Sequence, residues 1–134
     1  IPIALIPGIK AGADLSLPNG RIIANEALTM QPAAPRSYAF FFYSAPSEAV
    51  IQTVSDADLL YHEATFTETH REEASISFHS TARQAAEVAR AAGVKKLLLG
   101  HFSGRYTDEE EHLAEARDVF AETYIAEEGL WFEV

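Results

Sequence analysis

The chain has no cysteine in its 134 residues, which excludes disulfides and thiolate-ligated zinc. Any metal would have to be held by His, Asp or Glu. The same absence fits a reducing compartment, and a cytoplasmic location is expected. Positive charge is scarce: ten Lys+Arg against 20 Asp+Glu give a formal net charge of -10. That argues against broad electrostatic binding to nucleic acid by this chain alone, though a small basic patch or a basic partner region is compatible with it. Long apolar runs are lacking too. None approaches the roughly 20 residues of a membrane span, so no membrane partner is expected. The apolar start Ile1-Pro2-Ile3-Ala4-Leu5-Ile6-Pro7 has no basic n-region and is broken by prolines, so it does not read as a signal peptide. There is no initiator Met, and a start at Ile1 is what a fragment would show. Finally, no His-x-His and no His-x-x-x-His pair occurs, so spacing alone yields no strong zinc motif.

What is present is ordinary for a globular protein: 48% hydrophobic and 22% charged residues, which argues against disorder. The length suits one domain with a real core. Pro2, Pro7, Pro18, Pro32 and Pro35 crowd residues 1–35, which read as an irregular lead-in with a small hairpin at Asn19-Gly20. Regular patterning fills residues 36–134. Strands are expected at 37–43, 58–61 and 94–100, with terminal strands at 123–126 and 130–134 joined at Glu128-Gly129. Helices are expected at 47–54, with Pro46 near the first turn, at 81–92, stopped by Gly93, and at 108–120. The last has Leu113, Ala116, Val119 and Phe120 inward, and its acidic start, Asp108 to Glu111, suits the helix dipole. Residues 63–80 read as a polar connection, partly helical. Strands joined through helices imply an α/β sheet, and ligands gather at the strand ends of such sheets.

Three of the five histidines fall at such ends. His62 follows "DLLY", His101 follows "LLLG", and His79 precedes the helix near Thr81. His70 and His112 lie in Glu-rich surroundings and are expected to be solvated. His62 is followed by Glu63. A histidine beside a carboxylate suits proton donation to a leaving oxygen, and a neutral histidine at a strand end suits zinc. Each also has a plainer reading. A histidine beside core residues is commonly a hydrogen-bonded structural group, and "HSTA" at 79–82 could be only a capped helix start with Ser80 or Thr81 as N-cap. Spacing does not separate metal binding from acid–base work.

The stretches "LLYHEATF", "FHSTARQAAEVA", "KKLLLGHFSGRY" and "AEEGLWFEV", in this order and at these gaps, resemble the C-terminal half of ribonuclease Z, the tRNA 3'-processing endonuclease of the metallo-β-lactamase superfamily. "IKAGADLSLPNGRII" and "APRSYAF" resemble the segment before them. The likeness covers nearly the whole chain. It implies the C-terminal half of a metallo-β-lactamase-type αββα sandwich, a mixed sheet with flanking helices. It implies phosphodiester hydrolysis in precursor tRNA with two zinc ions. Carried over by position, His101 matches a zinc ligand. His79 matches the histidine that contacts the scissile phosphate and assists the leaving group. Glu63 matches its carboxylate partner, and His62 takes a supporting role. Ser103, Arg105 and Tyr106 fall in the loop that supports His101.

Two departures limit this. The family's His-x-His-x-Asp-His motif lies in the N-terminal half and is absent here, as are a further upstream histidine and the tRNA-gripping arm. Tyr43 stands where the family has a bridging aspartate, and a neutral phenol cannot replace a carboxylate between two dications. The chain alone is therefore expected to bind zinc weakly or not at all, to lack activity, and to expose an apolar face that the missing half or a second copy in a homodimer would cover. Two alternatives stay open: a non-catalytic half-domain serving as scaffold or dimerisation unit, and a hydrolase of small phosphodiesters, which the acidic balance favours over RNA.

Overall fold

Residues 1–30, 32–42 and 47–134 are described by the computed structural model, which divides into two units, Ile1–Pro35 and Arg36–Val134. In the first unit a short helix α1 (Ile6–Lys10) precedes strands β1 (Leu15–Ser16) and β2 (Ile22–Ile23), which pair antiparallel. The hairpin closes as the sequence suggests. Pro18 and Asn19 occupy the turn, Gly20 N donates to Leu17 O at 2.9 Å, and Gly20 takes a φ of +80°. That left-handed conformation is cheap only for a residue without Cβ. Asn25 ties the unit together: its side-chain amide donates to Ile9 O at 2.6 Å and to Ala13 O at 3.0 Å. Ile9 and Leu15 are its buried apolar residues.

The second unit is a four-stranded sheet in the order β3 (Tyr38–Phe41), β4 (Leu59–Glu63), β5 (Lys96–Gly100), β6 (Thr123–Ile125). Every neighbouring pair is parallel, with Ala39 beside Leu60, Leu60 beside Leu97, and Leu97 beside Thr123. Parallel neighbours need crossovers, and helices supply them: α2 (Glu48–Thr53), then α3 (Arg71–Ser77) with α4 (Ala82–Ala92), then α5 (Glu110–Arg117). The α/β class and the flanking helices match the expectation. Among the described residues the sheet is wholly parallel rather than mixed.

Two further expectations are corrected. No strand forms at 130–134. Gly129 turns the chain at φ +85°, and the last residues are held by side chains instead, with Arg36 donating to Val134 O at 2.7 Å and Lys96 to Glu133 O at 3.0 Å. The second strand runs on to Glu63, so His62 lies inside it rather than after it. The expected strand end at Tyr43, and Pro46, fall outside the described residues.

The helices cover one face of the sheet. Leu60, Leu97 and Leu99 are fully buried there, each contributing roughly 1.5–3 kcal/mol on burial. Helix α4 presents Ala82, Ala85, Ala86 and Ala89, and such small side chains let it lie close. Its start is fixed by a capping box: Gln84 N donates to Thr81 Oγ1 and Thr81 N to Gln84 Oε1. Such a cap is worth about 1 kcal/mol. The other face is aromatic. Tyr38 and Phe40 are more than half exposed, at 51% and 57%, and Phe40 stacks on Tyr61 at 4.6 Å. Among the described residues no helix is long and apolar enough to cross a membrane.

Candidate active site

Side chains alternate along a strand, so Leu60 and His62 face the helices while Leu59, Tyr61 and Glu63 face the other way. This alternation separates His62 from Glu63. His62 is fully buried, and its ring stacks beside Phe41 at 6.1 Å. Its Nδ1 lies 2.7 Å from the Glu63 carbonyl oxygen, and its Nε2 has no hydrogen-bond partner among the described residues. Burial lowers its pKa below the ordinary value, against a smaller opposing pull from the Glu63 carbonyl and charge. His62 is thus a core group behind the strand, and the structure does not bring it to the other predicted residues.

Glu63, His79 and His101 do come together, each with one ligand-capable atom within 4.8 Å of the others. The backbone brings them there. The segment after β4 is stitched to the segment after β5 by Ala64 N donating to Gly100 O at 2.8 Å and Ser103 N donating to Thr65 O at 3.0 Å. On its other side, Phe66 bridges to Thr81, which sets the start of α4 alongside. Two left-handed residues then aim the histidines. Phe78, at φ +59°, ends α3 and turns the chain into His79. His101 itself sits at φ +61°. A non-glycine residue in this region costs about 1 kcal/mol, and such strain clusters at functional sites. Gly100 answers a different need: a Cβ there would collide with the Tyr61 ring and hydroxyl.

The polar groups form one network. Glu63 is fully buried. Its Oε1 accepts from Ser80 N at 2.6 Å and lies 3.5 Å from His79 Nδ1. Its Oε2 accepts from Thr65 N at 3.0 Å and from the Thr65 hydroxyl at 2.7 Å. The same hydroxyl lies 3.2 Å from His79 Nδ1 and 2.9 Å from His101 Nδ1. The His79 and His101 rings are 5.2 Å apart, and Phe42 meets His101 edge-on at 4.7 Å. Both imidazoles are therefore anchored through Nδ1.

The donor set fits a borderline metal such as zinc only in part. Imidazoles are good ligands, but both Glu63 oxygens are already taken by backbone and hydroxyl donors. Two imidazoles fall short of the three protein ligands of a catalytic zinc site. Further ligands would have to come from beyond the described residues, which exclude Tyr43.

The remaining histidines correct an expectation. His112 is fully buried, not solvated. It sits on the inward side of α5, four residues before buried Ala116, while its acidic neighbours point outward. Phe102 and Tyr106 pack edge-on against it at 4.9 and 4.4 Å. Neither ring nitrogen has a hydrogen-bond partner among the described residues. Burial lowers its pKa, opposed weakly by Glu111 and by the nearby Thr65 backbone, which is not in hydrogen-bonding geometry. His70 is half-buried and lies 3.0 Å from the Tyr106 hydroxyl, which also accepts from Thr67 N. Arg105 lies over the Phe66 ring at 4.9 Å. Thr65, at the centre of the network, is the residue that sequence reasoning passes over.

No family model matches the chain. Its sequence is 46% identical to ribonuclease Z of Phocaeicola vulgatus over 130 residues, which is 97% of this chain and 42% of that protein. The chain is a homologue of ribonuclease Z. It spans about two fifths of the length of the curated ribonuclease Z relatives it matches. Its fold is that of part of a metallo-β-lactamase domain. The metallo-β-lactamase fold protein YhfI of Bacillus subtilis superposes with a TM-score of 0.67 at 26% identity, covering 73% of this chain and 40% of that one. The short form of human tRNase Z superposes at 0.57 with 24% identity over 81% of this chain and 35% of its own, a likeness of fold.

Proposed function

We propose that this chain carries the acid–base half of the active site of a metal-dependent endoribonuclease that matures the 3' ends of precursor tRNA in the cytoplasm. The observation that carries this reading is the Glu63–Thr65–His79–His101 cluster at the strand ends of a ribonuclease Z homologue. In this reading His79 contacts the scissile phosphate, takes up a proton on Nε2 to become the imidazolium, and passes that proton to the leaving oxygen. Glu63, held by Ser80 and Thr65, orients the His79 ring. His101 is the zinc ligand contributed by this segment, with the other ligands upstream in the longer protein. When bound, zinc would supply Lewis acidity toward the phosphate and make water a stronger acid. His62 acts behind the site, by packing.

By itself the chain is incomplete. One metal-ligating histidine does not make a zinc site, and the phenol of Tyr43 adds no carboxylate. The exposed aromatic row of Tyr38, Phe40 and Tyr124 fits burial by a second apolar surface, supplied by the upstream half or by a second copy. Tyr43 also favours a second reading, in which the cluster survives in a non-catalytic scaffold.

The test is cleavage of a precursor tRNA, beside a small phosphodiester, by the protein extended upstream, with Tyr43 and with Tyr43→Asp. Zinc-dependent cleavage of the tRNA supports the reading. No cleavage by either form favours the scaffold. Elemental analysis of the dialysed 134-residue chain should find well under one zinc per chain; tight stoichiometric zinc would contradict the incomplete site.

A further inference from the structure

We propose that the Thr65 hydroxyl is the positioning group that fixes the tautomer of both site histidines, holding His79 and His101 with the proton on Nδ1 and the lone pair on Nε2. The inference deepens the endoribonuclease reading and rests on it for its functional meaning, but its geometry stands alone.

Counting protons around the Thr65 hydroxyl leads to this assignment. A threonine hydroxyl has one proton to give and two lone pairs to offer. Three polar atoms surround Thr65 Oγ1: Glu63 Oε2 at 2.7 Å, His101 Nδ1 at 2.9 Å and His79 Nδ1 at 3.2 Å. The carboxylate oxygen can only accept. If the hydroxyl proton turned to either imidazole, Oγ1 and Oε2 would face each other at 2.7 Å with no proton between them, an acceptor–acceptor clash in a buried site. The proton therefore goes to Glu63. Both lone pairs then remain for the imidazoles, and each ring must donate from Nδ1 to satisfy the contact. In the neutral ring this leaves Nε2 unprotonated, which is the form a metal ligand or a proton acceptor needs.

The residue type suits the task. Thr65 is 7% exposed, and its branched Cβ restricts χ1, so the hydroxyl is held in place. Its backbone N–H fixes it to the same carboxylate oxygen, at 3.0 Å. One side chain thereby couples residues 14 and 36 positions away.

The measurement is long-range proton–nitrogen correlation on the histidine side chains of the 134-residue chain, at alkaline pH. Wild type should show His79 and His101 as Nδ1–H tautomers. Thr65→Val, similar in shape without the hydroxyl, should move one or both toward the Nε2–H form that free imidazole side chains prefer in water. Thr65→Ser should restore the wild-type pattern. Nε2–H tautomers in the wild-type spectrum would overturn the proposal whether or not the variants fold, as would a Thr65→Val spectrum identical to wild type. In the upstream-extended protein, Thr65→Val should also weaken zinc binding by about 10–100-fold, the usual effect of losing an outer partner of a ligating histidine. The tautomer readout uses neither zinc nor RNA. If the tautomers hold and the extended protein cleaves no tRNA, the functional reading fails while the positioning role stands.

Discussion

Two carboxylates bracket the second strand of the sheet, Asp58 just before it and Glu63 at its end, and they do different work. Asp58 sits at the solvent-facing edge. It accepts from Ser37 N at 2.7 Å and from the Ser37 hydroxyl at 3.1 Å, and it pairs with Lys95. The Lys95 hydrogen bond, with those from Ser37, lowers its pKa to about 2. Its partners tie the starts of three strands together, and water reaches all of them. Glu63 has no exposed surface, and its partners are backbone amides, a hydroxyl and a histidine. An exposed ion pair with a long flexible lysine contributes little to stability and screens in salt. A buried carboxylate that saturates its oxygens with short donors is costly to disturb and orients what it touches. The sheet is fastened at one end and carries the candidate site at the other.

Removing Glu63 should break that contrast most visibly. Glu63→Ala leaves Ser80 N, Thr65 N and the Thr65 hydroxyl without their acceptor in a dry site, and should cost about 3 kcal/mol of stability, read by chemical denaturation. A loss under about 1 kcal/mol would put Glu63 in the same class as an exposed carboxylate.

The buried histidines should come next. Burial lowers the pKa of both His62 and His112 in the folded state below 6.5. The unfolded chain then binds more protons as pH falls through 6.5, so stability is highest above that value and declines below it. His112→Phe removes from an aromatic cage two ring nitrogens that have no hydrogen-bond partner among the described residues. It should raise the melting temperature more at about pH 5 than at about pH 8. Equal shifts at both pH values would show that His112 does not contribute to the acid sensitivity.

Asp58 should give the smallest effect. Its folded pKa of about 2 lies below the ordinary 3.8, so its contribution is present above pH 3.8 and fades as pH falls toward 2. Asp58→Asn should lower the melting temperature slightly at neutral pH and less in added salt. A drop as large as that of Glu63→Ala would erase the distinction between the two ends.

Much of this arrangement was legible in the sequence because it follows local rules. Thr81 and Gly93 announce the limits of α4, Asn19-Gly20 announces the hairpin, and apolar runs ending in polar groups point to β4 and β5. His101 could be picked out because it follows an apolar run, His79 because it precedes a helix start and Glu63 because it follows His62, and the family resemblance placed them in one site. What stayed hidden depends on partners distant in the chain. Thr65 looks like an ordinary hydroxyl until residues 79 and 101 fold back onto it. His112 lies among glutamates in sequence, but the helical period turns it inward while they face water. His62 and Glu63 are adjacent letters, and strand alternation sends them to opposite faces. Residues 130–134 have strand-like composition, yet form no ladder and are held by Arg36 and Lys96 instead.

In the proposed function His79, aimed by Glu63 and Thr65, moves a proton during phosphodiester cleavage. The most direct test is single-turnover cleavage of precursor tRNA by the upstream-extended protein, comparing wild type with His79→Ala at saturating zinc. Loss of a general acid predicts a fall in the cleavage rate of about 10²–10⁴-fold with zinc content unchanged. A His79→Ala protein that cleaves at the wild-type rate would contradict the account.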